Sequence, residues 1–127
     1  MEKIVRVNAS ELKSLDDTKF VPKPVYQSKG MKVVLAYFKE GQFIPVHSPE
    51  VELVLCILEG KAEVVAGEER VAAGKNDIII IPKGEKRGVK ALSELAVLHV
   101  VQPPHSDMDH KEVHARLAQD KLVCCMA

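Results

Sequence analysis

The chain contains no tryptophan, and two tyrosines and three phenylalanines are its only aromatic residues. So few rings cannot build the stacking platforms on which single-stranded nucleic acids lie. Cysteine is scarce too. Cys56, Cys124 and Cys125 are odd in number and two are adjacent, which argues against the paired framework of a small disulfide-stapled domain. An excess of one charge is also missing. Eighteen basic and eighteen acidic side chains cancel to a formal net charge of zero, so the basic surplus that favours nucleic acid or an anionic membrane is absent. No apolar run approaches the ~20 residues of a bilayer-spanning helix. The opening MEKIVRVNAS lacks the apolar stretch of a secretory signal. These absences lead to the expectation of a cytoplasmic protein with neither a nucleic-acid nor a membrane partner. On that expectation the glycosylation-like Asn8-Ala9-Ser10 is a chance match. Serine-nucleophile (GxSxG) and phosphate-loop (GxxxxGK) signatures are absent as well.

What remains is ample apolar material. The 127 residues are 46% hydrophobic, enough for one packed domain over residues 1–127. Short apolar or β-branched runs follow one another at Val25–Gln27, Met31–Phe38, Val51–Leu58, Ala62–Ala66, Glu69–Ala73, Ile78–Ile81 and Leu95–Val101. Turn residues such as Glu40-Gly41, Glu59-Gly60, Ala66-Gly67 and Lys83-Gly84 separate them. Strands at this spacing, with no helix between them, predict an all-β sandwich or barrel core over about residues 24–102. Val51–Leu58 and Ile78–Ile81 do not alternate with polar residues, so both faces of these strands are expected to be covered. One face would look into the barrel, and a flanking segment or a second copy of the chain would cover the other.

Helix signals occur only towards the ends. Ser10 is placed to cap a turn through Leu12 and Leu15. Ser106 and Asp109, after Pro103-Pro104, resemble a capping box, and Met108, Val113 and Leu117 recur at helical spacing. The spacing predicts a C-terminal helix over about 106–120. His110 and His114 would share one face of it; the simplest reading is polar surface, as Cys124-Cys125 is a tail without a role.

Two segments carry a family resemblance. Residues 41–60 read GQFIPVHSPEVELVLCILEG and residues 74–88 read GKNDIIIIPKGEKRG. They resemble the two motifs of the cupin superfamily. Gly41, His47 and Gly60 fall at the spacing of the first motif, and Pro82 and Gly84 at that of the second, in which Asn76-Asp77 replaces Gly-Asp. The resemblance implies a small antiparallel barrel of jelly-roll type, the RmlC-like or double-stranded β-helix fold. It also implies an interior able to hold one small ligand, and a homodimer.

The departures from the family pattern bear on function. Cupin metal centres use two histidines and a carboxylate, histidine or glutamine from the first motif and a histidine from the second. Here His47 holds the first position, Pro49 the second, Leu53 the third and Arg87 the fourth. Proline cannot ligate. A permanently charged guanidinium ~4 Å from a divalent ion repels it by about 8 kcal/mol at an effective dielectric near 20. The inherited site is therefore expected to be degenerate, with no cofactor. A rescue would need Glu52, beside Leu53, to turn inward and join His47 and His99 around Mn, Fe, Ni or Zn.

Three functions follow. The first is a metal-free cupin that binds or senses a small anionic molecule through His47 and Arg87, with Glu52 and Tyr37 as further candidates. Lys83, Lys86, Arg87 and Lys90 cluster near the expected pocket, and Arg87 is suited to gripping a carboxylate or phosphate with two hydrogen bonds. The second is a metal-dependent dioxygenase, isomerase or lyase built on His47, Glu52 and His99. The third is a metal-independent isomerase or epimerase with His47 as general acid or base.

Overall fold

The computed structural model describes residues 4–103. Nine strands form there: β1 (Val21–Gln27), β2 (Lys32–Phe38), β3 (Phe43–His47), β4 (Glu52–Glu59), β5 (Lys61–Ala66), β6 (Glu69–Gly74), β7 (Ile78–Ile81), β8 (Arg87–Ala91) and β9 (Leu95–Gln102). They make two antiparallel sheets, ordered β1-β2-β9-β4-β7 and β3-β8-β5-β6. The expected all-β architecture is present, with two strands more than the apolar runs suggested. β3 and β8 carry Pro45, His47, Arg87, Gly88 and Lys90 within five residues each, so neither reads as a hydrophobic run. β1 begins at Val21 because its prolines sit on a sheet edge, where a missing backbone donor costs little. The region of the anticipated C-terminal helix, with His110, His114, Cys124 and Cys125, lies outside the described residues. Among the described residues, no helix is long and apolar enough to cross a membrane.

Leu53, Leu55 and Ile57 of β4, Val97 and Val101 of β9, and Val64 and Val89 of the other sheet are buried in one core cluster. Their inner faces leave a cavity between them. The turn from β4 to β5 depends on Gly60, whose φ is +88°. A Cβ there would lie 1.9 Å from the Glu94 carbonyl oxygen, so only glycine fits.

The outer face of the five-stranded sheet is half covered. Ala9, Leu12 and Leu15 pack against Leu35, Tyr37 and Ala96, and the Tyr37 hydroxyl donates to the Ala9 carbonyl at 2.5 Å. The turn in this N-terminal strap is capped by Asn8, not Ser10: the Asn8 side chain accepts from the backbone N–H groups of Ser10 and Glu11. Beyond the strap the sheet is uncovered by other described residues. β4 and β7, expected to be covered on both faces, leave Val54 36%, Ile78 65% and Ile80 67% exposed in the single chain.

Candidate ligand cavity

Strand register gives the cavity a polar end and an apolar end. In the five-stranded sheet Ile81, Leu53, Val101 and Lys32 are successive cross-strand partners. The next inward row is Leu55, His99, Val34 and Pro24. In the facing sheet His47 pairs with Arg87, and Arg87 with Ala66. One step inward Ile44 pairs with Val89, and Val89 with Val64. All of these residues except Ala66 line the cavity, whose volume is about 220 Å³. Lys32, His47 and Arg87 thus lie towards one end and His99 one row further in, while apolar residues form the rest of the described wall.

Arg87 is 3% exposed and His47 8%. Two strands that escape the hydrophobic pattern therefore bring together the two residues that the motif spacing singled out. A β-bulge between Ile44 and His47 and the absence of a side chain at Gly88 permit the approach. A Cβ on Gly88 would meet Val46 Cγ2 at 2.8 Å and Val46 Cα at 3.2 Å.

Backbone carbonyls fix the orientation of both polar side chains. His47 Nδ1 lies 3.0 Å from the Pro45 carbonyl oxygen. A carbonyl only accepts, so Nδ1 carries the proton and the lone pair of the neutral ring sits on Nε2. Arg87 Nη2 donates to the Pro82 carbonyl at 2.9 Å, and Nε and Nη2 both donate to the Glu85 carbonyl at 3.3 Å. Every two-donor edge of a guanidinium includes Nη2. The anticipated two-bond grip on an anion is therefore corrected: Arg87 is tied to the β7–β8 turn and supplies the cavity with a fixed positive charge. Of the basic cluster only Arg87 turns inward. Lys83, Lys86 and Lys90 are exposed or half-buried away from the cavity, and Lys86 Nζ sits 3.5 Å from Glu68 Oε1.

Two other candidates are displaced by strand alternation. Glu52 is exposed while its neighbour Leu53 lines the cavity. Tyr37 faces the N-terminal strap on the outer side of β2, where burial pushes its phenol pKa up. His99 does line the cavity, as the metal alternative required. That alternative nevertheless loses its carboxylate, because Glu52 points away. No group of three or more His, Cys, Asp or Glu side chains among the described residues is placed to hold a metal ion. Two imidazoles, one of them cross-strand from a guanidinium, do not fit the donor set of a cupin metal centre, since the cationic head opposes a divalent ion and no anionic ligand offsets it.

Lys32, Phe20 and Gly88 also line the cavity and were not singled out in the sequence. Phe20 stacks on Phe38 with ring centroids 5.2 Å apart. Lys32 alternates with Val34, Ala36 and Phe38 on the inner face, but the outer face of β2 is equally apolar, so alternation alone does not reveal which set looks inward.

No protein-family model matches the chain, and no curated protein matches it. Solved structures do. An RmlC-like cupin protein from Desulfovibrio desulfuricans is 34% identical, with 80% of this chain and 99% of that one covered and a TM-score of 0.74. A protein from Thermus thermophilus is 30% identical over 80% of this chain and 98% of that one, with a TM-score of 0.73. KdgF from a Halomonas species, 20% identical, shares the fold over 76% of this chain and 90% of its own, at a TM-score of 0.67. A two-sheet antiparallel barrel closed around an interior cavity is the cupin architecture. The chain belongs to the cupin superfamily.

Proposed function

We propose that this cupin binds a small anionic molecule in its barrel without a resident metal. One observation carries the reading: Arg87, 3% exposed, lines an otherwise largely aliphatic cavity beside His47. The turn carbonyls hold the guanidinium in place, and an anion entering the cavity meets a charge already desolvated and oriented. His47 adds a hydrogen-bonding ring nitrogen at the same end. The working unit is proposed to be a homodimer in the cytoplasm.

The test is calorimetric titration of small carboxylates and of inorganic phosphate into the wild-type protein and into Arg87→Gln and Arg87→Lys. Charge-assisted hydrogen bonds contribute about 1.5–3 kcal/mol, so Arg87→Gln is expected to weaken anion binding by roughly tenfold or more. Arg87→Lys keeps the charge and is expected to retain most of the affinity, because the charge and not the fork does the binding. Equal affinity of wild type and Arg87→Gln would refute the assignment. Unchanged thermal unfolding of the lysine variant would show that the comparison is made on folded protein.

A further inference from the structure

We infer that the ligand is a monocarboxylate with an apolar body, an aliphatic or aromatic acid of few carbons. This rests on the anion-binding reading above and narrows it to a chemical class. The wall decides the class. Among the described residues that line the cavity there is no serine, threonine, tyrosine, asparagine, glutamine, aspartate or glutamate. The polar side chains are Lys32, His47, Arg87 and His99, an inventory rich in donors and cations, without a hydroxyl, amide or carboxylate among the described residues. A sugar or sugar phosphate brings several hydroxyls that both donate and accept. Each hydroxyl stripped of water without a partner lowers affinity by roughly tenfold. A dicarboxylate fares less well, because its second charge would find only the His99 ring in a row otherwise made of Leu55, Val34 and Pro24.

The distribution of the polar groups points the same way. Lys32, His47 and Arg87 gather towards one end of the barrel, with His99 one row further in among aliphatic side chains, so the complementary molecule carries its charge at that end. Its carboxylate would sit beside Arg87 and His47 with its body against Ile44, Leu55, Val64 and Val89. Size bounds it as well. The volume of about 220 Å³ is below the ~300–1,000 Å³ of sites for drug-sized ligands, so the enclosed space suits a body of few carbons. Arg87 suits a monoanion because Nη2, common to both bidentate edges, is bound to carbonyls. A carboxylate needs only one bond and the charge, whereas a phosphate dianion gains most from several convergent donors.

The experiment uses the wild-type chain and titrates acetate, butyrate, hexanoate and benzoate, with succinate, glycerol phosphate and the alcohols butanol and hexanol as controls. Burial of a methylene is expected to raise affinity roughly fourfold, so binding should strengthen from acetate to butyrate and beyond until the cavity is full. The alcohols should bind at least tenfold more weakly than the matching acids. Arg87→Gln should erase that preference for acids while leaving the dependence on chain length. Succinate or glycerol phosphate binding as tightly as butyrate, with sensitivity to Arg87→Gln retained, would overturn the ligand class and leave the anion site standing. Binding that grows with chain length but ignores the acid head in both proteins would overturn both. So would the absence of binding by every acid tested.

Discussion

Tyr37 shows how one residue's environment overrides its chemical type. As an aromatic with a hydroxyl it qualified as a cavity-lining candidate, yet it packs under the N-terminal strap and donates to the Ala9 carbonyl. Its burial raises the phenol pKa above the ordinary value of 10.0. The unfolded chain releases this proton first, so the contribution of Tyr37 to stability is complete below about pH 10 and is lost as pH rises through the raised value. Tyr37→Phe removes a hydrogen bond and is expected to cost about 1 kcal/mol at neutral pH. That gap should narrow as urea unfolding is measured above about pH 10; a gap independent of pH would refute the placement. At this scale the sequence was legible where spacing carried information and silent elsewhere. His47 and Arg87 stand at motif positions and are cross-strand partners. Tyr37 lies in Lys32–Phe38, apolar on both faces, where a period of two has no direction.

Among the elements, the β3–β8 pair matters most for the site. These strands were illegible as strands because a proline, a glycine and charged residues interrupt them, while the family motif still marked their ends. The turn-forming glycines and the long apolar runs made the other strands readable, since turn chemistry and hydrophobic pattern agree there. Gly88 links the element to the site. It lets β3 approach β8 closely, with Val46 Cγ2 2.8 Å and the Ile44 carbonyl oxygen 3.3 Å from where a Cβ would stand. Gly88→Ala is therefore expected to act as an overpacking substitution of about 1–3 kcal/mol in chemical denaturation. The strand it displaces carries His47, so anion affinity should fall along with stability. A stable Gly88→Ala protein with full anion affinity would show that the close approach is incidental.

For the whole molecule, the two edges of the five-stranded sheet are unequal. β1 is blunted by Pro22, Pro24 and a bulge between Pro24 and Tyr26, devices that discourage pairing with another chain. β7 has none of them. Its outward Ile78 and Ile80 pair across the sheet with Cys56 and Val54, and those in turn with Leu98 and Val100. An apolar strip therefore runs from this edge towards the middle of the sheet, where Leu98 joins the cluster under the N-terminal strap and Val54, Ile78 and Ile80 form the exposed part. A second copy of the chain is the occupant proposed, because a strand edge and a charge-free strip are both self-complementary about a two-fold axis. Covering an isoleucine side chain that is two-thirds exposed contributes about 1–2 kcal/mol. Ile78 and Ile80 of both copies then supply about 4–8 kcal/mol, which only meets the lower part of the ~4–15 kcal/mol cost of association. Stable pairing therefore requires the rest of the strip, and it predicts sensitivity to single charges placed there. Wild-type protein is expected to sediment as a dimer at micromolar concentration. Val54→Lys and Ile80→Lys, each at a position already exposed in the single chain, should give folded monomers. A wild-type monomer at that concentration, or a dimer that survives both substitutions, would refute pairing through this face.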